Sequence, residues 1–403
     1  MSAALAYCDK RGRIYFDDGT VPLADGGVIR EARADELIAM PPGSVPMILP
    51  DRRPLAQSGV QSRRYALGVV LPAGYTRLLV PSYETEPRVR SLPLFGYTFA
   101  CAIGDRLHVA AVRTDESEDW APRSFADGEL ELLVERRIAE DPGNRVLTQV
   151  ARCSREYGCF TAQNVFLERG EAALPVSPRC NARCIGCISE QEAETSVPSP
   201  QERIVYEISA QELARVAVRH LERVEDGIVS FGQGCEGEPL LRSTAIARAI
   251  ERIRAARRNG TINLNTNGSL PKALRRCIDA GLDAVRISLN SFREPVYRAY
   301  YRPIGYGLDD VLESVRIAAE NGLRVSLNLL THPGITDDAE EVAAMRAFLY
   351  DVRVTMVQTR TLNIDPQWYF GAVGRPREPL GMRHALAEIH RAGVAVGNFT
   401  HTH

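Results

Sequence analysis

Three cysteines crowd one stretch in the middle of the chain, Cys180-Asn-Ala-Arg-Cys184-Ile-Gly-Cys187. Their spacing, C-x3-C-x2-C, gathers three thiolates around one short loop. Three soft ligands suit an iron–sulfur cluster whose usual complement is four cysteines. One iron would then lack a protein ligand and stay open to another molecule. A closed structural zinc site wants a fourth Cys or His at regular spacing. The next histidine downstream, His220, is distant and lies in a helical pattern, so it fits that role poorly.

The segments that must position this loop follow a repeating rhythm. From about residue 171 short apolar or β-branched runs alternate with helical patterns. Ala172–Val176, Gly227–Phe231, Thr261–Asn265, Ala284–Leu289, Arg324–Leu330 and Val352–Val357 read as strands buried on both faces. Ser209-Ala-Gln-Glu212 is a capping box that opens a helix to about Val224. Ile246, Ile250 and Ile253 mark one apolar helix face, and Leu308 to Ala319 another, closed by Asn321-Gly322. Six successive strand–helix units imply an α/β fold with a parallel sheet curled into a partial (β/α)6 barrel. Ligands bind at the C-terminal ends of such strands.

The first 170 residues differ. Gly96 to Ile103, then Gly104-Asp105, then Arg106 to Val112 read as a hairpin closed by a two-residue turn. Leu67–Leu71 and Arg77–Pro81 are two more strand candidates, and a helix from Glu129 to Glu140 stops at Asp141-Pro-Gly. The expected organisation is therefore a smaller, mainly β N-terminal domain over 1–170 and the barrel over 171–403.

Four loops share one end of the expected sheet. The cysteine loop follows the first strand. The second strand runs into Gly232-Gln-Gly-Cys-Glu236-Gly237-Glu238-Pro239, whose glycines let backbone carbonyls approach a ligand while Glu238 adds a carboxylate suited to an amine. The third ends in Thr266-Asn267-Gly268 and the fourth in Ser288-Leu289-Asn290, small donors and acceptors suited to hydroxyls or a carboxylate. Each loop alone is ordinary turn chemistry. All four in one register, beginning with the triplet, point to a site.

With those residues together, the chain resembles the radical S-adenosylmethionine (SAM) superfamily over about residues 171–400. The triplet matches its cysteine signature, Glu236-Gly237-Glu238-Pro239 resembles its Gly-Gly-Glu-Pro motif, and the two polar strand ends resemble its next motifs. The resemblance implies a [4Fe-4S] cluster on Cys180, Cys184 and Cys187. SAM would chelate the open iron, contacted by Gly237, Glu238, Thr266, Ser288 and Asn290. The implied activity is that of a radical SAM enzyme, an oxidoreductase or transferase: reductive cleavage of SAM, then hydrogen abstraction from a substrate by a 5′-deoxyadenosyl radical. It also implies an electron donor such as flavodoxin or ferredoxin. No general acid or base can be named. Two residues depart from the family pattern. Gly186 stands where an aromatic residue usually precedes the third cysteine, so adenine packing falls to Ile185 or to Gln358–Asn363. Glu236 replaces the first glycine of the usual pair, which implies an altered turn.

The other cysteines divide. Cys153 and Cys159 could ligate a second cluster or act as a redox pair, and Cys235 could donate a hydrogen atom or simply pack. Cys8, Cys101 and Cys277 look like core residues. His401-Thr-His403 reads as a polar tail. Arg360, at the end of the sixth strand, could meet an anionic substrate.

Bulk composition narrows the class without choosing the substrate. A net charge of -2 gives no electrostatic grip on nucleic acid, and the lysines are Lys10 and Lys272 alone among 49 basic residues. Nine unevenly placed cysteines argue for a reducing compartment, and no apolar run is long enough for a bilayer, so a cytoplasmic protein with no membrane partner is expected. A small molecule, a peptide or RNA all remain open as substrate. The alternative from another class is a non-catalytic iron–sulfur or SAM-binding sensor or scaffold.

Overall fold

The computed structural model describes residues 3–86, 89–92, 95–115, 128–191 and 198–398. Every barrel strand expected from sequence is present. They form one sheet in chain order: Glu171–Leu174, Ile228–Phe231, Thr261–Thr266, Ala284–Leu289, Arg324–Thr331, Met356–Thr361, and a seventh, Ala395–Gly397. The first four pairings are parallel. Neighbours in space are neighbours in sequence, as a singly wound barrel requires, and the first and seventh strands are its open edges. The sixth strand starts four residues later than expected because helix Ala339–Asp351 ends just before Val352. Thr355 leads it in, its N–H donating to the Val325 carbonyl at 2.8 Å.

Alternation along the strands separates two chemistries. Val285, Ile287 and Leu289 of the fourth strand, with Ile262 and Leu264 of the third and Val325, Leu327 and Leu329 of the fifth, are buried. The intervening positions are polar: Asn263 and Asn265, Arg286 and Ser288, Ser326 and Asn328. One face of the sheet is thus hydrocarbon and the other hydrogen-bonding.

Helix Ala210–Arg223 begins at the capping box as read, Ser209 Oγ accepting from Glu212 N while the Glu212 carboxylate accepts from Ser209 N. Leu308–Glu320 ends at Asn321, with Gly322 in the left-handed region at φ 75°. Sequence reading left out Arg145–Glu156 and Phe160–Leu167, which follow the expected helix Leu130–Glu140.

The N-terminal region is mainly β. An antiparallel sheet runs Tyr75–Arg77, Arg106–Arg113, Tyr97–Ile103, Tyr65–Val70, Leu5–Cys8, Ile14–Asp17, with Leu37–Ala39 and Val45–Leu49 added at its sides. The expected hairpin is there, Ile103 opposite Arg106 across Gly104-Asp105. Two compact units divide the chain otherwise than at residue 170. One comprises Met1–Ser124, Leu330–Ala347 and Gln358–Phe399; the other includes Phe125–Leu329 and Phe348–Val357. The three helices over 130–167 belong with the first five barrel strands, Arg145–Glu156 and Phe160–Leu167 packing on the first of them; Val146, Leu147 and Val150 are buried. His401 and His403 lie outside the described residues.

Candidate cofactor site

Every backbone anchor of the cysteine loop comes from a neighbouring strand end or helix. Arg183 N donates to Tyr301 O and Ile185 N to Tyr300 O, both at 3.0 Å, at the C-terminus of helix Glu294–Tyr301. Ile304 N returns a bond to Asn181 O at 2.9 Å, and Ala182 bridges to Pro303. The Asn181 side chain joins the third-strand loop, donating to Ser269 Oγ and accepting from Asn267 Nδ2, each at 2.9 Å. Cys187 N closes the loop on Cys184 O at 3.1 Å.

On this frame all three thiols are partly exposed, while Cys8, Cys101, Cys153, Cys235 and Cys277 are buried. Cys159 is partly exposed as well. Partial burial pushes the Cys180 thiol up to about 11 and Cys184 well above its ordinary value. A metal centre supplies the positive charge that turns such thiols into thiolates. No group of three or more Cys, His, Asp or Glu among the described residues is gathered tightly enough for a single metal ion. A cubane asks for something else, since each thiolate binds a different iron. The donor set, soft, partly exposed and on one anchored loop, fits a [4Fe–4S] cluster.

The loop after the second strand is fastened to the root of the cysteine loop. Gly237 N donates to Ser177 O at 2.7 Å and Glu238 N to Arg179 O at 2.8 Å. A Cβ on Gly237 would lie 2.0 Å from Arg179 O, so only glycine fits. The Glu236 carboxylate does what the motif's usual glycine cannot. One oxygen accepts from Val176 N and Ser177 N, both at 2.7 Å; the other accepts from Gly232 N at 3.0 Å and Gln233 N at 2.7 Å. Burial pushes this acid up to about 8 against the pull of those donors.

Glu238 ties the second strand-end loop to the third. Its carboxylate accepts from Thr266 Oγ1, from Asn267 N at 2.8 Å and from Leu240 N at 2.9 Å, and burial raises it to about 7. Two expected SAM contacts, Glu238 and Thr266, thus bind one another and lock the second strand-end loop to the third. Asn290 is likewise buried, its Nδ2 donating to Val296 O at 3.4 Å. Gly237 and Ser288 remain partly exposed.

Tyr300 was missed in sequence. A Cβ on Gly186 would meet its Oη at 3.0 Å and its ring carbons from 3.3 Å, so Tyr300 fills the space beside Gly186. Ile185 is buried at 2 % exposure. No spacing rule links residues 186 and 300; only the docking of helix on loop does. The Cys153 thiol interacts with that of Cys235. Gln149 Nε2 adds a bond to Cys153 Sγ at 3.3 Å, while Cys159 Sγ lies 3.4 Å from Thr161 Oγ1.

Residues 174–345 match the model of the Radical SAM superfamily. Over that span the chain matches a radical SAM domain. That family's cofactors are a [4Fe–4S] cluster and SAM. Among curated relatives, it is 31% identical over 190 residues to a GTP 3′,8-cyclase of Thermodesulfovibrio yellowstonii, covering 46% of this chain and 54% of the relative. It is 26% identical over 250 residues to the FeMo cofactor biosynthesis protein NifB of Klebsiella pneumoniae, covering 57% and 51%. The chain thus spans about half the length of the curated relatives it matches. Among solved structures, a radical SAM methyltransferase from Sphaerobacter thermophilus aligns over 56% of this chain and 64% of its own, with TM-score 0.39 and 16% identity. No helix among the described residues is long and apolar enough to cross a membrane.

Proposed function

We propose that this protein is a radical SAM enzyme that cleaves SAM reductively and abstracts hydrogen from a polar substrate held on the inner face of its parallel sheet. What supports the reading most directly is the cysteine loop: three partly exposed thiols, anchored on four sides, beside a glycine turn with no room for a side chain. When bound, the cluster supplies one electron and SAM the carbon radical that takes the hydrogen. The chain's own residues hold and orient. Cys180, Cys184 and Cys187 ligate three irons, Gly237 and Ser288 face the cofactor, and Glu238 with Thr266 and Asn290 set the loops that carry them.

Substrate class is argued from the sheet's polar face. Its deepest charge is neutralised, Arg286 Nη1 lying 2.8 Å from Glu171, which also accepts from Ser230 Oγ. Asn263 and Asn265 continue the network. Beyond it, Ser288, Ser326 and Asn328 are partly exposed, neutral hydrogen-bonding groups. They suit a hydroxyl- or amide-bearing substrate. A low-potential donor such as flavodoxin or ferredoxin would supply the electron.

Anaerobic reconstitution with iron and sulfide, then dithionite and SAM, tests the reading. 5′-Deoxyadenosine and methionine are expected; intact SAM over a reduced cluster would favour a sensor or scaffold. Cys184→Ala should abolish both the cluster's visible absorption and cleavage, and retained cleavage would refute the ligand assignment.

A further inference from the structure

The third cysteine has a cation at its sulfur. Arg203 comes from the segment ahead of helix Ala210–Arg223, and its side chain is only 14% exposed. Its Nη2 lies 3.7 Å from Cys187 Sγ, and its Nε donates to Ser189 Oγ at 3.2 Å. Ser189 Oγ is itself 3.6 Å from Cys187 Sγ and reaches the Glu236 carbonyl at 3.4 Å. The far side of the guanidinium pairs with Glu190, whose side chain is 64% exposed. Water therefore weakens the pairing that would compete for the charge. A planar fork addresses a thiolate, a hydroxyl and a carboxylate from three nitrogens in fixed geometry, whereas a lysine brings its donors on one nitrogen.

A reduced cluster carries one more negative charge than an oxidised one. A positive donor at a ligand sulfur therefore stabilises the reduced form more and raises the potential. We propose that Arg203 is a positioning residue for the iron–sulfur centre, donating to Cys187 and raising the cluster's reduction potential toward the range of a one-electron protein reductant. The balanced step is the gain of one electron by the [4Fe–4S]2+ cluster to give [4Fe–4S]1+, with the low-potential donor oxidised by one electron. This rests on the reading that Cys180, Cys184 and Cys187 hold such a cluster.

The test is a redox titration of the full-length reconstituted protein without SAM, following the electron paramagnetic resonance signal of the reduced cluster, alongside iron and sulfide per chain. Arg203→Met should load iron as the wild type does but titrate at a more negative midpoint; Arg203→Lys should shift less. An unchanged midpoint at full iron content overturns the proposal, as does an unchanged midpoint with weakened SAM binding, which would assign the cation to the cofactor's carboxylate. If Arg203→Met loads poorly, Arg203→Gln, which keeps a donor and loses the charge, decides by the same midpoint. A wild-type protein with no [4Fe–4S] signal would instead sink the underlying reading.

Discussion

Two buried arginines in one unit and two buried acids in the other serve different purposes. In the β-rich unit two of the most deeply buried charged side chains are arginines, Arg77 and Arg52. Arg77 is fully buried and spends its donors on carbonyls, those of Phe95 and Tyr97 at 3.2 Å and Leu362 at 2.8 Å. Arg52 pairs with Asp365 at 2.7 Å and reaches the carbonyls of Pro50 and Arg90. In the barrel unit the buried ions at the strand ends are carboxylates, Glu236 and Glu238, and they spend their lone pairs on loop N–H groups. An arginine on carbonyls closes strands and loops upon themselves. A carboxylate on N–H groups fastens loops together while leaving their remaining side chains turned outward, as the three thiols are. The first device builds a scaffold and the second builds a site.

Replacing Glu236 by Gln should show the larger effect. The amide oxygen can still accept two of the four bonds, but its NH2 group faces two N–H donors. The expected cost is roughly 2–4 kcal/mol of stability. Because Glu236 ties Val176-Ser177, at the root of the cysteine loop, to Gly232-Gln233, iron retention against a chelator should also weaken by about tenfold or more. Retention at the wild-type level in a folded variant would show that the tie serves stability alone.

Arg77→Met sharpens the same contrast from the other side. Burial already pulls the Arg77 guanidinium down to about 9, so its charge is held at a cost. An apolar chain of similar length removes that cost and forfeits the carbonyl bonds, for a net change within about 2 kcal/mol. Iron retention should not move. Loss of iron comparable to that in Glu236→Gln would erase the distinction between scaffold and site charges.

What sequence could reveal follows the same boundary. Local signals were legible: the triplet, the capping box at Ser209, the Gly104-Asp105 turn, the Asn321-Gly322 stop and the strand rhythm all depend on residues a few positions apart. The sixth strand slipped because Val352, Val354 and Met356 alternate as a strand does, yet Thr355 is where pairing with Val325 begins. Tyr300 beside Gly186, Glu238 bonded to Thr266, Cys153 interacting with Cys235 and Arg203 at Cys187 all link distant segments. No periodicity encodes them; they exist only once the elements dock. The four-bond role of Glu236 was hidden for a different reason, since a glutamate in place of a motif glycine reads first as a loss.

The smallest expected effect lies within the barrel unit, at the start of helix Ala210–Arg223. Glu212 closes the capping box and also receives Arg145, whose Nε and Nη2 approach its two oxygens at 2.8 and 2.6 Å. The Arg145 hydrogen bonds hold the acid well below the usual carboxylate range, with burial opposing and Ser209 assisting. A folded pKa below the unfolded value means the stability is fully present above the ordinary range near pH 4.5 and is lost as pH falls through the folded value. Glu212→Gln should therefore cost about 1–2 kcal/mol at pH 7. The gap between variant and wild type should narrow as urea titrations of the cluster-free chain are carried from pH 7 to below pH 4. A gap that stayed constant with pH would mean the side chain contributes through its shape and packing, and that the ion pair joining helix Arg145–Glu156 to the barrel's first helix carries none of the stability.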